Sequence, residues 1–180
     1  MPQFRLTHKF ATDCKVKQLV EPIITSHPLD DWFIDRLIVD HKKVAMITHG
    51  KSAFTFFIPY ADAGGAKNII DYFKGQLKEL FQANSLPTLA LEVNKLFANE
   101  LTYTKTVDRK ILGHMNDFRR CSEPYPGDPY PIDWQDKAER INNMPINAGS
   151  RDSSYPIEDF NEILGINLPK RKTRYSWLSE

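Results

Sequence analysis

The side chains best suited to chemistry are gathered in one stretch, Thr104-Lys105-Thr106-Val107-Asp108-Arg109-Lys110-Ile111-Leu112-Gly113-His114-Met115-Asn116-Asp117. Lys, Asp, Arg, His and Asn surround a short apolar stripe there, which is more polar chemistry than a purely structural segment needs. Asp108 can cap a helix whose buried side is Ile111, Leu112, Met115 and Phe118. Lys105 and Asp108 then lie at the turn into that helix, while Arg109, Asn116 and, less well, Asp117 fall off its apolar stripe. The unpaired N–H groups and positive dipole end of a helix N-terminus attract anions, and Lys105, Arg109 and Lys110 add charge. His114 is the one group in the stretch able to move a proton near neutral pH. The competing reading is structural, with Asn116 and Asp117 bracing nearby backbone and Arg109 paired to a carboxylate.

A second candidate is the C-terminal run. Lys170, Arg171, Lys172 and Arg174 beside Tyr175 and Trp177 have the chemistry to grip phosphates and stack a base. The more usual meaning of such a run is a solvated terminus. Tyr125 and Tyr130, in the proline-rich segment 123–131, are suited to presenting rings to a partner, though a plain connecting loop packed on the surface is the more usual meaning of such a segment.

Other chemistries find no pattern. His8, His27, His41, His49 and His114 form no HExxH and join no paired cysteines, so no metal is expected. No G-x-S-x-G occurs, and neither Cys14 nor Cys121 adjoins a histidine. Without a Walker A or G-x-G-x-x-G segment, no nucleotide cofactor is expected either.

The elements that must position these residues are legible from periodicity. Gln3 to Thr7 alternates as a short strand, and residues 13–31 are broken by Pro22 and Pro28 with room for a short helix. Phe33–Val39, Lys43–Thr48 and Ala53–Ile58 read as three strands of an antiparallel meander, turning at Asp40-His41-Lys42 and His49-Gly50-Lys51. Gly50 is the residue free to take positive φ, and Phe54, Phe56 and Ile58 share a face that should be core. Apolar residues at helical spacing predict helices over about 67–82 and around Leu89, Val93, Leu96 and Phe97. Thr102–Thr106 reads as a polar strand suited to a sheet edge. Later helices are expected over Trp134–Asn143 and from Pro156 to Gly165. The pattern is α+β: an antiparallel sheet of about five strands with helices packed mainly on one face. Residues 1–168 form a single domain, followed by a basic, aromatic tail at 169–180.

The totals set the compartment and limit the partners. The net charge is +1, from 24 basic and 23 acidic residues, so nothing global draws the chain to nucleic acid or anionic lipid. From Met1-Pro2-Gln3-Phe4-Arg5, which lacks a charged-then-apolar pattern, no leader is expected, and no apolar run is long enough to span a membrane. Two cysteines far apart fit free thiols in a reducing cytoplasm.

Arg109-Lys110-Ile111-Leu112-Gly113-His114-Met115-Asn116-Asp117 resembles the R-x-x-L-G-x-M-N-D box of a bacterial family of uncharacterised domains. The matching positions are Arg109, Leu112, Gly113, Met115, Asn116 and Asp117, and His114 falls on a variable position of that box. The Trp32 entry into paired strands and Ile141-Asn142-Asn143-Met144-Pro145 resemble the same pattern, which spans most of residues 1–165. The resemblance implies a shared fold and no particular activity. Two functions from different classes are expected to compete. One is a non-catalytic module binding a partner protein or nucleic acid in a regulatory, mobile-element or defence setting. The other is a small metal-independent enzyme, such as an RNA-cleaving one, with Lys105, Arg109 and His114 around a phosphate.

Overall fold

Trp32-Phe33-Ile34 and Val44-Ala45-Met46-Ile47 offer no polar face to solvent, so strands built from them must be covered on both sides. The computed structural model describes residues 2–98, 100–124, 130–146 and 154–170. Its five strands are β1 (Gln3–Leu6), β2 (Asp31–Val39), β3 (Lys42–His49), β4 (Thr55–Pro59) and β5 (Thr102–Lys105). They form one sheet in the order β4-β3-β2-β1-β5. The expected meander is β2-β3-β4, antiparallel throughout, with Ile34 opposite Ile47 and Ile47 opposite Phe56. The flanking strands depart from the expected antiparallel order, since β1 runs parallel to β2 and β5 parallel to β1. Parallel neighbours need a crossover rather than a hairpin. The chain between β1 and β2 therefore carries a short helix, α1 (His8–Asp13), which lies earlier than the sequence pattern placed it.

Four helices cover one face: α1, α2 (Ile69–Ala83), α3 (Pro87–Phe97) and α6 (Pro156–Leu164). Their apolar stripes pack on Phe4, Leu6, Trp32, Ile34, Ala45, Ile47, Phe54 and Ile58. The opposite face carries Phe33, Leu37, Val44, Met46 and Phe57, covered by α4 (Arg109–Ser122) and α5 (Trp134–Asn142). The α+β class and the five strands are as expected, with most helices on one face. The predicted core face of β4 is buried at Phe54 and Ile58 and partly so at Phe56, and Phe57 is buried on the other side. Asp108 caps α4 by accepting from the N–H groups of Lys110 and Ile111. Gly165 ends α6 at φ 62°, as its position predicts.

The two turns of the meander differ from each other. Asp40 and His41 both have positive φ, the twist a two-residue hairpin needs. Gly50 does not use positive φ. A Cβ there would sit 2.8 Å from Asp31 Oδ2, so the position excludes a side chain because the Asp31 carboxylate lies against it. That carboxylate is held by two 2.8 Å bonds from Arg5, whose guanidinium also lies 4.9 Å above the Phe33 ring.

His49 closes β3 in the deepest part of the core. Its Nε2–H donates to the Pro28 carbonyl at 2.6 Å, and Nδ1 lies 2.8 Å from the Ser52 hydroxyl, which donates to it. The ring is 4.9 Å from Trp32 and 5.3 Å from Phe160. Burial, with the Lys51 charge nearby, outweighs the Pro28 carbonyl and the Asp30 carboxylate and pushes its pKa down to about 4. The unfolded chain then binds a proton that the folded chain refuses, so this contribution is complete above the unfolded pKa of roughly 6.5 and is lost as pH falls toward 4. We expect the unfolding free energy from urea titration to fall between pH 7 and pH 4, by about 3 kcal/mol from this residue, with the midpoint falling accordingly. The drop should shrink in His49→Gln. An unchanged midpoint across that window would contradict the assignment.

Candidate binding cleft

Helix α4 presents its sequence-selected residues to solvent. Arg109, Asn116 and Asp117 are exposed, and Asp117 lies 3.7 Å from Arg120 one turn on. Among the described residues, no protein group bonds the side chains of Arg109 or Asn116. These two share a face, being seven residues apart on a helix. Lys105 lies on β5 and pairs with Glu21 in the loop that follows α1. His114 is on the inner side of α4, buried against Phe118, with Nε2 unbonded. Burial and then the nearby Lys110 charge lower its pKa, so it stays neutral at pH 7. The structure thus puts Arg109 outside and His114 inside, and does not gather Lys105, Arg109 and His114 around one point. Lys170 lies elsewhere, paired with Glu158 of α6. Arg171, Lys172, Arg174 and Tyr125 lie outside the described residues.

What fixes α4 is a residue that the sequence reading passed over. Arg119 reaches Asp35 in the middle of β2, and Thr7 donates to the other oxygen of that carboxylate at 2.7 Å. Asp35 is buried, and these two partners bond both of its carboxylate oxygens. Among the described residues, no group of three His, Cys, Asp or Glu side chains is placed to hold a metal ion. Burial raises both thiols, Cys14 to about 11, which keeps them protonated and poorly nucleophilic.

A concavity of about 850 Å³ follows the edge of β4. Its floor is Phe54–Phe57 and Pro59, and its walls are α2 and α5. The two sheet edges are treated differently. At β5, Val20 bonds Tyr103 and Lys105 and closes the ladder. At β4, Tyr60 bonds Lys43 and Phe54 bonds His49, so alternate residues 54, 56, 58 and 60 face β3. Thr55, Phe57 and Pro59 therefore turn their backbone groups outward. The Asn142 side chain of α5 takes both groups of Thr55, accepting from its N–H at 2.7 Å and donating to its C=O at 2.9 Å. Pro59 has no N–H to offer. Phe57 is left with an N–H and a C=O aimed into the cleft, and among the described residues nothing bonds them.

The rim is acidic: Asp62, Glu79, Asp133 and Glu139 line the cleft, and Lys170 is the one cation among its described lining residues. Trp134 adds an aromatic wall, 5.7 Å from the Phe57 ring. Nothing in the α4 box pointed here. The signal available in the sequence was Pro59 at the end of an aromatic strand, which marks an edge. Asn142 sits in the Ile141–Pro145 segment singled out above, but its role depends on where α5 docks.

Replacing Asn142 with Ala should strand two buried backbone groups of Thr55 and cost about 2 to 3 kcal/mol in chemical denaturation. An unchanged midpoint would mean that water serves the edge equally well. Gly113 faces open space on α4, with nothing within 4 Å of an added Cβ. Gly113→Ala should therefore stabilise the free protein by roughly 0.5 to 1 kcal/mol. A loss of stability would show that the backbone there is not plain helix.

No helix among the described residues is long and apolar enough to cross a membrane. Comparisons with curated proteins and with solved structures give no match. A family model does match, over residues 3–159, which takes in the whole sheet, α4, α5 and the start of α6. The chain belongs to the family described as domain of unknown function DUF6933.

Proposed function

We propose that this domain is a non-catalytic protein-interaction module that takes an extended segment of a partner protein along the open edge of β4. The observation that carries the reading is the unpaired N–H and C=O of Phe57, facing a cleft walled by α2 and α5. A peptide laid there adds a strand to the sheet. The backbone bonds at Phe57 give affinity, and the aromatic and acidic walls give selectivity. Polyanions are poorly served by the same surface, because its rim holds four carboxylates against one lysine. This favours a protein partner over nucleic acid. The enzymatic alternative loses support from the placement of His114, which is buried on the side of α4 away from Arg109. The resemblance of residues 109–117 to the R-x-x-L-G-x-M-N-D box supports a bacterial setting for this role, and two cysteines far apart in sequence fit a cytoplasmic one.

A phage-displayed peptide library selected on the purified protein tests the proposal, followed by amide-shift mapping of an enriched peptide. Shifts should centre on Thr55–Pro59 and on the facing sides of α2 and α5. The double variant Glu79→Lys/Glu139→Lys, at two exposed rim positions, should weaken a basic peptide roughly five- to tenfold. Shifts confined to Arg109–Asn116 would move the binding surface to α4 and overturn the cleft assignment.

A further inference from the structure

We propose that the partner segment runs antiparallel to β4 and sets an arginine opposite Phe57, its guanidinium held between the Trp134 ring and the Glu139 carboxylate. This rests on the cleft being a peptide site. The direction follows from how little of the edge is open. Asn142 holds both backbone groups of Thr55, Pro59 has no N–H, and the Pro59 carbonyl accepts from the Asp62 N–H at 3.1 Å. Among the described residues of β4, Phe57 alone is left to bond an added strand. In an antiparallel pair one residue exchanges both bonds with the residue opposite. In a parallel pair the two bonds go to two partner residues, each of which turns a second group toward Thr55 or Pro59 and finds no partner there. Antiparallel addition therefore strands fewer groups.

The arginine follows from the face that this register selects. Successive residues of a strand point to opposite faces, and directly opposed residues share one. Phe57 faces α5, so the residue opposite it does too, while its two neighbours turn to α2. On the α5 wall the partly exposed Trp134 ring lies 5.7 Å from that of Phe57. Because Asn142 meets Thr55 and Trp134 meets Phe57, α5 runs opposite to β4. Glu139 comes three residues before Asn142, about 4.5 Å along the helix. Phe57 comes two residues after Thr55, about 7 Å along the strand. Glu139 thus stands close to the level of Phe57, on the same stripe of α5 as Asn142. It is exposed, and among the described residues nothing bonds its carboxylate. The other rim carboxylates are placed or engaged differently. Asp133 caps α5 by accepting from the Asp136 N–H at 3.0 Å, Glu79 on α2 accepts from Gln76 at 3.1 Å, and Asp62 lies beyond Pro59. An aromatic face beside a carboxylate suits a planar cation, which stacks on the one and bonds the other. The compact, strongly hydrated ammonium of lysine does both less well.

The test titrates the full chain with the synthetic peptide acetyl-Ser-Thr-Val-Arg-Val-Thr-Ser-amide and follows the Thr55–Pro59 amides. Companion peptides replace the arginine with lysine or methionine, or N-methylate either the arginine or the valine after it. The arginine peptide should bind about tenfold more tightly than the methionine one, with lysine between them. Glu139→Gln, at an exposed position, should erase most of that advantage and leave the affinity of the methionine peptide unchanged. N-methylation of the arginine should abolish the shifts, and N-methylation of the valine should not. Loss at the valine instead makes the pairing parallel and overturns the register. Equal affinity of the arginine peptide and either replacement overturns the arginine assignment, as does an arginine preference that survives Glu139→Gln. If a library-selected peptide without arginine shifts the Thr55–Pro59 amides and the arginine peptide does not, the cleft reading stands and only this inference fails. If no peptide moves those amides, both fall.

Discussion

A sheet that is apolar on both faces must be covered on both, and its polar backbone can then reach the surface only at its edges. This constraint organises the molecule. Trp32 and Ile34 point to one side of β2, and Phe33 and Leu37 to the other, and all four are buried. Four helices answer the first side and two the second. The strand edges are what remains, and each is handled by a specific residue. Val20 pairs with β5 in strand fashion, while Asn142 serves one residue of β4 with a side-chain amide. An open edge invites another chain, so most proteins shorten or block such edges. Here the opening is cut to a single residue, Phe57, between the Thr55 groups held by Asn142 and Pro59, which has no N–H.

Charges inside the fold are few, and each is tied to a structural job. Asp35 lies at the centre of the sheet and is met by Arg119 from α4 and Thr7 from the end of β1, linking three elements that are distant in sequence. Asp31 is met by Arg5 across the parallel β1–β2 pair, and its bulk dictates a glycine at position 50. His49 is kept neutral among aromatic rings by a carbonyl that can only accept and a hydroxyl that can donate. A buried polar group that loses its partner costs more than the bond was worth, so these contacts specify how the helices dock as much as they stabilise them.

A net charge near zero conceals an uneven distribution. Acidic side chains collect around the cleft, while four of the 24 basic residues fall in positions 170–174. Such an arrangement makes an electrostatic reading of the whole chain uninformative and a local one decisive. The exposed stripe of α4 presents Arg109, Asn116 and Asp117 to solvent, whereas the cleft along β4 sets an aromatic floor inside an acidic rim.

The sequence by itself determined most of the elements. Periodicity located the β2–β4 meander and the helices at 69–83, 87–97, 109–122, 134–142 and 156–164 to within a few residues, because each buries a continuous apolar stripe. Local rules also held at Asp108, which caps α4, and at Gly165, which ends α6. What tertiary structure alone decided was how distant segments meet. The parallel placement of β1 and β5 follows from long-range pairing, which leaves no mark in local pattern. Gly50 suggested a flexible turn, whereas the Asp31 carboxylate packed against it is set by the register of β2 with β3. The polar box was legible as a capped helix, yet whether His114 pointed in or out depended on the docking of α4 through Arg119. The cleft is the extreme case. It joins β4, α2, α5 and residues 168–170, four segments that no sequence periodicity relates, so it exists only once the sheet has been covered and its edge left partly open.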